Sequence, residues 1–165
     1  MNSHNGVEPV TIQLFPDYCD RTLWLGDPIA YEESGLSPAL IQDLTDWEQS
    51  YYDAIDLDHD HEWKSLGLAD AYTARGNELG QRVADEIGPE FEVEFSSYQQ
   101  GVEINIFRAN GPANNADAAL AFGRIAAAST EREREYKRLI DEAEAPGDTG
   151  WFAYAPRSGE VFDPQ

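Results

Sequence analysis

A chain of 165 residues with 32 Asp and Glu against 11 Lys and Arg carries a formal charge of -21, which excludes the basic patch that phosphate contacts on nucleic acid require. Hydrophobic residues at 41% and aromatics at 12% exclude a disordered acidic tail. The length suits one domain, able to bury roughly 70% of the surface its unfolded chain exposes.

Residues 1–9 read as a flexible polar N-terminus, and 10–165 as a single α+β domain. Residues 11–15 alternate briefly as a strand would, followed by Pro16 and a loop into Leu23, Trp24 and Leu25. The first strong helix opens at Ser37, an N-cap type, with Pro38 at N1, where its missing donor costs nothing. Leu36 and Ile41 have hydrophobic-staple spacing. Leu40, Leu44, Trp47, Tyr51 and Ile55 recur at intervals of three and four, and Asp43, Asp46 and Asp53 are assigned to the opposite, wet side.

A second helix is predicted over 68–87, stopped by Gly88 and Pro89; Gly76 and Gly80 within it favour close packing over helix propensity. Phe91, Val93 and Phe95 alternate with glutamates, and Val102, Ile104 and Ile106 alternate after a short turn, predicting a half-buried antiparallel hairpin. Residues 116–128 read as a helix on alanine content. A separate helix is expected from Thr130, which has capping-box spacing with Glu133, burying Tyr136, Leu139, Ile140 and Ala143. Residues 151–154 and 160–162 flank a turn and predict a closing hairpin. The fold class is therefore α+β, with three to four helices packed on a small antiparallel sheet.

Ligand-type side chains concentrate at 56–62. Asp56, Asp58 and Asp60 match the first three ligand positions of a calcium-binding helix-loop-helix, but His61 stands where glycine makes the turn and Gly67 where the bidentate glutamate belongs. Asp58, His59, Asp60 and His61 form the alternative divalent-metal set, the two histidines sharing a face if the segment is extended. Composition alone explains such a loop in so acidic a chain, and no cofactor is expected.

The one cysteine, Cys19, excludes an internal disulfide and fits a reducing compartment. Asp17 and Asp20 beside it would raise its thiol pKa, against a nucleophilic role. Without a signal-like start, and with the apolar run at 118–128 broken by Arg124, the chain is expected to be cytoplasmic and not to span a membrane. No phosphate loop, dinucleotide fingerprint, nucleophile elbow or paired-cysteine motif occurs, so no catalytic residue is assigned. Glu92, Glu94 and Glu103 have the alternation of a sheet's wet face rather than of a hydrolytic acid pair.

Pro16, Asp17, Tyr18 and Cys19 followed by Leu23 and Trp24, then Leu36, Ser37 and Pro38 with Leu44, Asp46 and Trp47, form a pattern that resembles a set of small acidic actinobacterial proteins. The resemblance runs to about Ile87. It implies provenance, agrees with nine arginines against two lysines, and carries over no site residue.

An acidic surface attracts cationic partners. The reading that follows is a protein-binding module that docks a basic protein, as toxin-neutralising immunity proteins and nucleic-acid mimics do. Its contact surface would comprise Asp43, Asp46, Asp53, Asp56, Asp58, Asp60 and Glu62. A small hydrolase with a dispersed site is the other class left open, and the oligomeric state is not encoded in any pattern.

Overall fold

The computed structural model describes residues 8–17, 20–56, 62–97, 99, 101, 103–143, 153–155 and 160–162. Two-residue alternation builds β1 (Val10–Asp17), which buries Ile12, Leu14 and Pro16 and turns Gln13 to water. Pro16 has no N–H to give a ladder, and it falls where the pairing with β2 (Arg21–Leu25) shifts register, between Leu14 and Asp17. The loop expected into Leu23, Trp24 and Leu25 is thus a hairpin whose second strand these residues form. Asp20, just before it, takes φ 54°. A two-residue β3 (Asp27–Pro28) follows, then one turn of helix, α1 (Tyr31–Ser34).

Gly35 ends α1 at φ 65°, and a Cβ there would lie 2.7 Å from the carbonyl oxygen of Asp117. Both conformation and space require glycine. The next helix, α2 (Pro38–Ala54), starts where its cap predicts: Ser37 Oγ accepts from the Leu40 amide at 3.4 Å. Glu86 holds that cap in place, accepting from the Ser37 amide at 2.8 Å. A short ladder of β4 (Ile55–Asp56) and β5 (Glu62–Trp63) leads into α3 (Leu66–Ile87), capped by Ser65. β6 (Phe91–Phe95) and β7 (Asn105–Arg108) complete the main sheet, and α4 (Ala116–Ala143) follows.

The sheet order is β3-β2-β1-β6-β7. Its neighbours are antiparallel except for the central pair, where β1 and β6 run parallel with Ile12 opposite Val93. The fold is α+β with a mixed rather than wholly antiparallel sheet. The buried stripes of α2 (Leu40, Leu44, Trp47) and α3 (Tyr72, Leu79, Val83) supply the core with Ile12, Leu14, Val93 and Phe95. Trp47 stacks on Tyr72 at 4.7 Å and meets Phe95 edge-on at 5.5 Å. Gly76 lies against Phe95 and Trp47, and Gly80 against Phe107, so these glycines do serve close approach.

Two further expectations change. β7 starts at Asn105, and Phe107 pairs with Val93 and fills the space beside Gly80. That phase turns Ile104 and Ile106, expected inside, to water at 57% and 53% exposure; Val102 lies outside the described residues. The helices expected at 116–128 and from Thr130 are one continuous α4. Asn115 caps it, its Oδ1 accepting from the Ala118 amide at 3.2 Å, whereas the Thr130 hydroxyl donates to the Ala126 carbonyl inside the helix. Tyr136 is exposed and Leu139 and Ile140 half-buried.

The chain divides into two compact units, residues 1–123 and 124–165. The first holds the main sheet with α1 to α3 and the start of α4, where Ala118, Ala121 and Phe122 are buried and Phe122 meets Phe91. The second holds the rest of α4, laced by Arg138 to Glu135 and Glu142, and the expected closing hairpin, β8 (Ala153–Ala155) against β9 (Glu160–Phe162). Among the described residues no helix is long and apolar enough to cross a membrane.

Candidate functional site

The helical repeat sorts the acids of α2 into two environments. Gln42, Asp46, Gln49 and Asp53 follow one another at steps of four, three and four along the exposed side. Gln42 Nε2 donates to Asp46 at 2.8 Å and Gln49 Nε2 to Asp53 at 3.2 Å. An amide donor fixes a carboxylate without neutralising it, so this stripe keeps its charge.

Asp43 is placed differently from the other two. Arg82 reaches its Oδ2 at 2.6 Å and Arg75 its Oδ1 at 2.8 Å, and Arg75 also pairs with Glu78 at 2.6 Å. The hydrogen bond from Arg82, then the Arg75 charge, hold the Asp43 carboxyl below the usual range. Asp43 therefore clamps α2 to α3 and is not part of the uncompensated outer stripe.

At the end of α2, the β4–β5 ladder sets Asp56 directly opposite Glu62 and Ile55 opposite Trp63. Like charges facing across a ladder destabilise it. Lys64 Nζ is engaged with the Asp53 carbonyl at 2.8 Å. Asp58, His59, Asp60 and His61 lie outside the described residues, as does Cys19. Among the described residues no group of three or more His, Cys, Asp or Glu stands together to hold a metal ion. Of the predicted contact residues, the structure thus brings Asp46 and Asp53 onto one face and Asp56 and Glu62 into one ladder.

Sequence reasoning missed Glu48. It sits four residues after Leu44 on the apolar side of α2 and is only 5% exposed, with Oε1 lacking a hydrogen-bond partner among the described residues. Burial pushes its carboxyl up to about 7; Asp20 and Asp17 add to the shift and Arg21 opposes it. Tyr31 nearby is also buried, which pushes its phenol up to about 12, while its hydroxyl shares a 2.7 Å hydrogen bond with Thr22. The signal was present in the sequence, as a glutamate in phase with Leu44 and Tyr51.

On the sheet, Glu92 accepts from Arg108 at 2.7 Å and from Thr11 at 2.9 Å, and the Arg108 hydrogen bond holds it below the usual carboxylate range. A carboxylate so neutralised is unsuited to general-acid work at neutral pH.

A family model described as Serratia CdiI immunity protein-like matches residues 10–98, more than half of the chain. The matched span runs from β1 through β6 and contains α2, the β4–β5 ladder and α3. No curated protein and no solved structure matches the chain.

Proposed function

This chain belongs to the Serratia CdiI immunity protein-like family, and on that premise we propose that it is an immunity protein that docks a basic toxin and neutralises it. The family match carries the reading. It takes in the elements that bear the exposed acids of α2 and the Asp56–Glu62 pairing. With a formal charge of -21, the molecule draws a cationic protein from a distance and disfavours wrong, acidic partners by repulsion. Asp46, Asp53, Asp56 and Glu62 are the described residues that keep the contact role in this reading.

The test is capture from source-cell lysate on the tagged full chain at low salt, followed by a salt gradient. The expected product is one basic protein that leaves in a sharp step, arrests growth when expressed alone, and no longer does so when co-expressed with this chain. A diffuse wash of cationic proteins with no toxic member overturns the reading and leaves the charge as solubility chemistry.

A further inference from the structure

Residues paired across a ladder point to the same side of a sheet. Register sets Ile12, Val93 and Phe107 side by side, and Leu14 beside Phe95. Phe95 and Phe107 lie against Gly76 and Gly80 of α3, so this is the packed face. The pairings of Pro28 with Trp24, Trp24 with Gln13, Gln13 with Glu94 and Glu94 with Ile106 set one side chain from each strand in a row across the opposite face. Thr11, Glu92 and Arg108 form the neighbouring row. The bonds that Glu92 accepts from Thr11 at 2.9 Å and from Arg108 at 2.7 Å agree with that placement.

The solvated face of a sheet is ordinarily polar, but the first row is apolar at both ends. At one end Phe15 stacks on Trp24 at 5.0 Å, and the Phe15 carbonyl accepts from the Trp24 indole N–H at 3.3 Å, which fixes a half-buried ring in place. At the other, Ile106 is 53% exposed on the edge strand β7. Between them, beside the exposed Gln13, lies a carboxylate without a counter-charge. Arg108, the base of the next row, is taken by Glu92, and Glu94 has no hydrogen-bond or ion-pair partner among the described residues.

From Trp24 to Ile106 is three interstrand steps, about 14 Å, and four residues of extended chain advance about 13 Å. The residue midway along such a segment lands between Gln13 and Glu94, where a guanidinium meets the Glu94 carboxylate and Gln13 Oε1. We propose that this open face, Trp24, Gln13, Glu94 and Ile106, is a second protein-docking surface that takes an extended segment with an arginine midway between two apolar residues. It lies across the sheet from α2, whose Trp47 meets Phe95 on the packed face, so it is separate from the acidic stripe and does not rest on the immunity reading. A second copy of this chain is disfavoured as occupant, since each copy brings a formal charge of -21 to the contact.

The face is tested on the full chain, labelled with nitrogen-15, by titrating the peptide acetyl-Leu-Thr-Arg-Thr-Leu-amide. Two controls are its citrulline counterpart and the same five residues reordered with arginine first. The arginine-centred peptide is expected to move the Trp24 indole N–H, the Gln13 side-chain amide and the Ile106 amide. It should bind about threefold more tightly than either control, the scale of one exposed ion pair. Ile106→Ser, at an exposed position, should leave the melting temperature in place and weaken the peptide severalfold. Glu94→Gln, which keeps the shape, should erase the preference for arginine over citrulline. Equal binding of the three peptides, a preference that survives in Glu94→Gln, or shifts confined to the acidic stripe of α2 overturns the proposal.

A captured toxin separates this surface from the contact proposed on α2. The double variant Glu94→Gln with Ile106→Ser should bind and neutralise the toxin as the wild type does. Loss of neutralisation by that variant, with its melting curve unchanged, overturns the second surface, because the face then belongs to the toxin contact. Failure to capture any toxin removes the immunity reading and leaves the peptide titration to decide this one.

Discussion

The two sides of α2 carry the same residue type to opposite ends. On the side toward α3, Asp43 lies between Arg75 and Arg82 at 2.8 and 2.6 Å; on the outer side, Asp46 and Asp53 accept from glutamine amides among the described residues. An aspartate that is spent on joining two helices has little field left to offer a partner, while one held by a neutral donor keeps its full charge. A count of acids therefore overstates the surface left for the proposed partner. What separates a structural acid from one left for the proposed contact is whether an arginine from another element reaches it.

The largest expected effect breaks the inner side by sterics rather than charge. At Gly76 an added Cβ would lie 2.6 Å from Phe95 Cε1 and 2.9 Å from Trp47 Cζ2, two rings that are 1% and 2% exposed and have nowhere to retreat. Gly76→Ala gains about 1 kcal/mol of helix propensity, as in an exposed helix, against an overpacking cost that typically runs to about 3 kcal/mol. Net destabilisation of about 2 kcal/mol is expected by urea denaturation. A more stable variant would show that the α2–α3 seam is loosely packed and would undo the contrast between the two sides.

Much of that seam is legible in the sequence because its signals are local. Ser37 followed by Pro38, the three-and-four spacing through Leu40, Leu44 and Trp47, and glycines four apart at 76 and 80 each point to the structure that forms. What escapes is decided across the chain. Apolar residues stand at 104, 106 and 107, so alternation alone cannot fix the phase of β7; the space at Gly80 selects Phe107 for the inside and sends Ile106 out. The parallel pairing of β1 with β6 joins residues about eighty positions apart, and Asp43 finds its arginines 32 and 39 positions on.

Glu48 marks the limit of sorting α2 into dry and wet sides, because it is an acid on the dry side. Its folded-state pKa of about 7 stands above the ordinary 4.5, so between those values the folded chain holds a proton that the unfolded chain has released. Stability must then fall as pH rises from about 4.5 through 7 and level off above, with Asp17, Asp20, Arg21 and Tyr31 as the groups facing the titration. Glu48→Gln removes the charge and keeps the shape. Stabilisation of about 1 kcal/mol is expected at pH 8, the scale of one unpaired buried polar group, and none at pH 4. Equal melting curves of the two proteins at both pH values would place Glu48 in water.

The smallest effects test the comparison most directly, because the substitutions are alike and only position differs. Asp43→Asn should lower the melting temperature at low salt and less so at 1 M, since its two ion pairs are partly exposed and screened. With its pKa depressed by those arginines, Asp43 contributes stability above the ordinary carboxylate pKa that is lost as pH falls through the folded-state value; the difference between wild type and variant should vanish in strong acid. Asp46→Asn with Asp53→Asn should leave stability within about 0.5 kcal/mol, as surface changes do, and slow association with the proposed toxin partner severalfold at low salt by stopped flow, with little change at high salt. If Asp43→Asn slows association as much as the outer pair does, total charge rather than placement governs encounter, and the division of α2 into a structural and a contact side does not hold.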